Sequence, residues 1–170
     1  LVVATNFPPH TGGVEKYTLD FFSVLGQEYR NLDISILSLQ TAKAPKRERI
    51  GVLNVVRVPC FGSDINPFFS PKKVQGALED MDFSSFDLVI TQCRYYLFTG
   101  YMVFTARRKG MPVLHIEHNA GYMLHKNPLI TLIARLYDVF IGRKVLSKAT
   151  SIVAISESVK KFLKENFKIT

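Results

Sequence analysis

Tryptophan is absent from the 170 residues, and cysteine occurs only twice, as Cys60 and Cys93. Two cysteines so placed give neither a disulfide framework nor a metal site of their own, and they suit a reducing compartment. No run of about 20 uncharged apolar residues occurs, so no segment reads as membrane-spanning. No repeat and no low-complexity tract interrupts the chain, and no signal peptide is visible, because Leu1 opens directly into a strand-like run. Acidic residues are the minority: 14 Asp plus Glu stand against 22 Lys plus Arg, a formal charge of +8. Acidic partners are therefore worth weighing, among them nucleic acid, an anionic membrane surface and a phosphorylated substrate. The missing initiator methionine and the bare final Thr170 suggest a piece cut from a longer protein.

What is present is core material. Hydrophobic residues make up 47% of the chain, with 13 Phe and seven Tyr, enough to exclude wholesale disorder. A length of this order predicts a single domain over residues 1–170, at about 100–200 residues per domain.

Short apolar runs alternate with helical spacing along the chain. Leu1 to Thr5 reads as a buried strand, ended by Pro8, Pro9 and the Gly12-Gly13 pair, and a helix follows from Gly13 to Leu25 with Gly26 as its stop. Leu32 to Leu39 and Leu53 to Val58 read as strands, with the charged stretch Lys43 to Ile50 as an exposed connection between them. Phe61 to Pro71 is a loop by composition, and Pro71 begins a short helix to about Asp80. Asp87 to Thr91, Pro112 to Glu117 and Thr150 to Ile155 are further strands. Helices are expected from about Leu97 to Lys109, from Pro128 to about Ser147, and from Glu157, capped by Ser156, to about Phe167. This alternation predicts an α/β fold, a doubly wound, mostly parallel sheet with helices on both faces. In such sheets ligands gather beyond the carboxyl ends of the strands, so the loops after Thr5, Thr91, Glu117 and Ile155 are where chemistry is expected.

The first of these loops places Gly12 and Gly13 at the opening of a helix, where unpaired N–H groups and the lack of a Cβ suit a phosphate. It matches neither GxGxxG nor the P-loop pattern, and a plain connecting turn is the competing reading. After the fourth strand comes Gln92-Cys93-Arg94-Tyr95-Tyr96, in which Arg94 has the planar fork for a phosphate or carboxylate. In the next strand His115 and Glu117 share one face, and His115, at mid-strand, reads as a hydrogen-bonded core histidine. His118, at the strand's exit, is placed to face a ligand and to donate toward a developing charge. The HxExH spacing on a strand is not the helical HExxH of zinc enzymes, so no metal is expected. Glu157 and Glu165 fall on one face of an amphipathic helix and read as solvated charges. The pattern from Leu129 to Leu146 has an apolar stripe wider than a one-sided surface helix needs, flanked by Arg135, Arg143, Lys144 and Lys148. Packing on two elements is the default account of it, and contact with lipid the other.

Taken together, three segments resemble glycosyltransferase family 4. FPPHTGGVEKYTLDFFSVL is similar to the opening strand, P-x(2–3)-GG-x-E and helix of that family's N-terminal domain; the strand ending in His118 resembles its T-x-H strand; ATSIVAISESVKKFL resembles its late A-D-x-I-I-A-x-S-x-x-x-K segment. The resemblance spans Leu1 to about Phe167. It implies one Rossmann-like half of a GT-B enzyme, the acceptor-binding N-terminal domain. The donor-binding domain, with the family's own E-x7-E, would lie beyond this chain. By the same resemblance Gly12 and Gly13 would approach the diphosphate of a nucleotide sugar, His118 would lie beside the transferred sugar, and Glu15, Tyr96, Asn119 and, more weakly, Arg94 would serve the acceptor. Transfer with retained anomeric configuration and no metal is what the family implies, with a nucleotide-diphosphate sugar as substrate and no resident cofactor. The sequence departs from the pattern where Glu117 precedes His118 and where Cys93-Arg94-Tyr95 ends the acceptor strand.

These features lead to the expectation of a hexosyltransferase-type enzyme with a glycan or lipid-linked acceptor. A cytoplasmic location follows, peripheral at the inner face of a membrane, and the isolated chain is expected to be inactive. Two alternatives stay open: half of a GT-B nucleotide-sugar epimerase, or a basic binding module without enzymatic activity. Nucleic acid is not expected as a partner, because the basic residues are spread along the chain without stacking aromatics or a recognition helix.

Overall fold

A computed structural model describes residues 1–62 and 66–169. Seven strands form a mostly parallel sheet with helices around it, the expected Rossmann-like α/β architecture. The chain, expected as one domain, divides into two compact units, Leu1–Val89 and Ile90–Thr170.

In the first unit, β1 (Val2–Ala4), β2 (Ser35–Leu39), β3 (Arg47–Ile50) and β4 (Leu53–Val58) lie in the order β3-β4-β2-β1. The pairs β1/β2 and β2/β4 are parallel, and every residue of β2 is buried, as strands covered on both faces require. The expected exposed connection at 43–50 is corrected: its second half is β3, antiparallel to β4 with Ile50 opposite Leu53. Polar Arg47-Glu48-Arg49 concealed it, because an edge strand carries charge where a central strand carries apolar side chains. The loop expected over 61–71 is also corrected in part. Cys60–Phe61 (β5) pairs with Phe68–Phe69 (β6), and the Phe61 and Phe68 rings stack at 5.8 Å. Residues 63–65 of that loop lie outside the described residues.

Helix α1 (Gly13–Glu28) runs through Gly26 instead of stopping there. The reason for the glycine is packing, since a Cβ at Gly26 would come within 2.9 Å of a Val52 methyl. Helix α2 (Pro71–Asp80) and a single 3-10 turn (Phe83–Ser85) complete this unit.

The second unit holds the strands β7 (Val89–Gln92, whose first residue closes the preceding unit), β8 (Val113–Glu117) and β9 (Ser151–Ala154), in that order, with β8 and β9 parallel. Helix α3 (Leu97–Arg108) follows β7, and α6 (Glu157–Phe167) follows β9, its N-terminus capped by Ser156 accepting from the Val159 N–H. Leu146, Val159, Leu163 and Phe167 form a buried cluster against which Tyr122, Ile152 and Phe162 pack.

The single helix expected from Pro128 to Ser147 is three pieces: α4 (Pro128–Tyr137), a π-helical turn (Asp138–Gly142) and α5 (Arg143–Lys148). The wider turn carries Asp138 inward, 1% exposed, onto Arg94. The wide stripe divides accordingly: its α4 part buries no residue, whereas Val145 and Leu146 of α5 pack into the core.

Candidate functional site

The candidate residues fall in both units, and each group is built differently. In the first unit the chain leaves β1 through Pro8 and Pro9 and enters α1 at Gly12, whose carbonyl accepts the first helical bond, from Lys16 N–H at 3.1 Å. Glu15, three residues on, is buried and curls back over Gly12, so that a Cβ there would overlap its carboxylate. A carboxylate in the first turn suits the positive end of a helix. His10 Nδ1 stands 3.4 Å from Glu15 Oε1. Gly12 is thus accounted for by Glu15, whereas a Cβ at Gly13 would meet nothing within 4 Å. Gly13 presents open backbone that no neighbour requires, the property a closely approaching ligand would use.

Arg57, on β4 and 4% exposed, holds this loop from below. Its Nη2 donates to the Pro8 carbonyl at 2.6 Å and its Nη1 to the Pro45 carbonyl at 2.9 Å, while Glu48 of β3 pairs with the guanidinium. Sequence reasoning passed over both residues. Replacing Gly12 with alanine should force Glu15 outward and cost about 1 kcal/mol, whereas Gly13→Ala should stay within about 0.5 kcal/mol of the parent. Urea unfolding of the two variants side by side checks this, and equal losses would contradict the account of Gly12.

In the second unit the ends of β7 and β8 are joined by one buried carboxylate. Glu117 Oε1 accepts from the backbone N–H groups of His118 and Asn119, both at 3.0 Å. Its Oε2 accepts from Arg94 N–H at 3.2 Å and faces Arg94 Nη1 at 3.2 Å and His115 Nε2 at 3.3 Å. Burial pushes this carboxyl up, but the hydrogen bond and charge of His115, the Arg94 charge and the Asn119 N–H outweigh it and hold the group at about 2. His115 is the core histidine expected, fully buried between Thr91 Oγ1 at 3.0 Å and Glu117.

Arg94 is also fully buried. Its guanidinium meets Asp138 Oδ2 at 2.8 Å and the Gly121 carbonyl at 2.9 Å, and it lies 4.9 Å from the ring centres of both Phe162 and Phe167. An arginine wholly closed to water and paired with two internal carboxylates has no surface to offer an acceptor, so its expected place there is corrected. Burial pushes the Asp138 carboxyl up against the pull of Arg94, so Glu117 is the more firmly ionised of the two carboxylates.

His118 is half-buried just past β8, with Nε2 3.0 Å from Gln92 Oε1. The contact fixes the orientation of the ring at the end of the strand. Burial lowers the His118 pKa, with the charge of Glu117 opposing. Asn119 and Tyr96 keep partial exposure on either side of the network, Tyr96 as the residue that precedes α3. Cys93 is buried, its thiol pushed up out of the reactive range by burial, and Cys60 is likewise free.

The structure therefore gathers Gln92, Arg94, Glu117, His118 and Asn119 at one end of the second unit, and leaves His118, Asn119 and Tyr96 with accessible surface. In this unit, Glu117 and Asp138 are the residues that sequence reasoning left without a role. The signals for them were a lone carboxylate beside His118 and a lone carboxylate inside an apolar helix. Glu157 and Glu165 are 90% and 60% exposed in their side chains and pair with surface lysines, as read. Among the described residues no group of three His, Cys, Asp or Glu is placed to hold a metal ion, and no helix is long and apolar enough to cross a membrane.

Comparison with known proteins adds two findings. The model of Glycosyltransferase Family 4 matches residues 11–170. An uncharacterized glycosyltransferase of Methanocaldococcus jannaschii is 30% identical over 167 residues, which cover 94% of this chain and 42% of that protein. The chain thus spans less than half the length of this relative.

Proposed function

The chain belongs to glycosyltransferase family 4, and from that premise we propose that it is the acceptor-side half of an enzyme moving a hexose from a nucleotide-diphosphate sugar to a glycan or lipid-linked hydroxyl. The observation that carries the reading is His118: an imidazole at a strand's carboxyl end, its ring set by Gln92, its backbone N–H held by the Glu117 carboxylate, and its pKa lowered by burial. Transfer breaks the bond between the anomeric carbon and the diphosphate oxygen and forms one to the acceptor oxygen, whose proton leaves with the diphosphate. Configuration at the anomeric carbon is retained. Most of the acceleration in such a reaction comes from placing the two oxygens and stabilising the charge that builds on the departing diphosphate.

The open Gly13 backbone at the start of α1 suits the diphosphate, His118 the sugar being transferred, and Asn119 and Tyr96, which keep accessible surface, the acceptor, while Glu15, buried over Gly12, positions its own loop. Donor binding is assigned to a second domain outside this chain, so the 170 residues alone should turn over no nucleotide sugar.

The test is a thermal-shift scan of nucleotide-diphosphate sugars on the protein in its full natural length, followed by product analysis with the one that stabilises it. A glycosylated acceptor with retained configuration is the expected product. A nucleotide-linked sugar epimerised at a ring carbon would make the protein an epimerase instead. Binding of arbitrary DNA with steep salt dependence and no sugar response would make it a basic binding module.

A further inference from the structure

We propose that the outward face of α4 docks on an anionic bilayer surface, a partner that the transferase reading does not require. Leu129, Leu132, Ile133 and Leu136, with Phe140 in the π-helical turn, recur at helical spacing and are 48% to 63% exposed. Water-exposed apolar stripes of this kind mark an interaction surface. The stripe is also held outward. On the opposite side of the same helix Asp138 pairs with buried Arg94, and Tyr137 OH donates to the Tyr96 carbonyl at 3.3 Å. Rotating the apolar face inward would break the Asp138–Arg94 pair, which is 2.8 Å long and nearly closed to water.

Charge selects the occupant. Between His118 and Ser156 the chain has a single carboxylate, Asp138, and it is 1% exposed and paired. The same stretch carries Lys126, Arg135, Arg143, Lys144 and Lys148, all exposed. Its accessible surface is therefore apolar and cationic, with no accessible anion. A second copy meeting it face to face would set like charges against one another. An anionic leaflet supplies both complements at once, hydrocarbon for the stripe and negative headgroups for the cations at its margins. Arg135, exposed on α4, holds its guanidinium 5.1 Å from the Tyr122 ring centre. With ten residues, α4 is about 15 Å long and lies along such a surface without crossing it.

Vesicle flotation of the protein in its full natural length tests this, with phosphatidylcholine vesicles and with vesicles containing 30% phosphatidylglycerol (about one headgroup charge in three) at low and high salt. The expected result is flotation with the anionic vesicles only, weakened by salt, and reduced at least about tenfold by Ile133→Glu. Ile133 is 58% exposed, so this variant leaves the core untouched, and an unchanged circular dichroism spectrum confirms that it folds. Lys160→Glu, on α6, should bind as the parent does. Absence of flotation overturns the proposal, as does equal binding to neutral vesicles or binding unaffected by Ile133→Glu. A dimer that Ile133→Glu dissolves and vesicles do not displace would assign the face to a second copy. None of these outcomes bears on sugar transfer, which the thermal-shift scan decides separately.

Discussion

Glu117→Ala should lower the unfolding free energy by about 3–5 kcal/mol, a large part of the roughly 5–15 kcal/mol available to a domain. The variant leaves Arg94 buried with Asp138 as its remaining carboxylate, itself pushed toward the neutral form by burial. It also strips the acceptor from the N–H groups of Arg94, His118 and Asn119. Urea unfolding monitored by circular dichroism measures the loss, and a change under about 1 kcal/mol would mean that water replaces the carboxylate. The same group sets an acid limit. A carboxyl held at about 2 in the fold, against 4.5 when free, contributes stability that is complete above pH 4.5 and lost as pH falls toward 2. Glu117→Gln keeps an acceptor and removes the titration, so its stability should be lower at neutral pH and flatter across that window.

His118→Ala, in the protein at its full natural length, should lower turnover by about 10²–10³, the loss seen when one preorganised donor to a developing charge is removed. The donor's KM should change little, because binding of the nucleotide is assigned to other residues. Its pKa is depressed by burial, so the acid limb of the parent's rate profile should fall below the ordinary histidine value of 6.5. The variant should lose that limb. Wild-type turnover in His118→Ala would remove the imidazole from the reaction, while lost turnover with an unchanged acid limb would leave it a structural part alone.

The fold was legible wherever one residue's environment matched its neighbours'. Strands such as β1 and β7 announce themselves as short apolar runs, Val2-Val3-Ala4 and Leu88-Val89-Ile90, and Ser156 marks a helix start by local chemistry. β3 was not legible, since at an edge Arg47, Glu48 and Arg49 face water on one side and a connecting loop has the same composition. Gly26 was misread because a helix stop and a close packing contact ask for the same residue.

For the site, strand ends pointed to the Gln92–Tyr96 and His118–Asn119 loops, which the Glu117 carboxylate joins, and alternation set His115 and Glu117 on one face, where their side chains meet. Arg94 was misplaced because its partners are not local. Asp138 lies 44 residues away and is brought inward only by a π-helical turn that no spacing in the sequence declares.

The Arg57 guanidinium has a consequence for how the glycine loop can vary. Pro8 and Pro9 contain few means of fixing themselves, having no N–H to give, so their position is dictated from outside by a cation on β4 and a carboxylate on β3. A surface hairpin is ordinarily the most tolerant part of a sheet, free to lengthen or change charge. Here it behaves as a tuning peg: alterations at Glu48 are transmitted through one side chain to a loop far along the chain, while changes at its neighbours Arg47 and Arg49 stay at the rim.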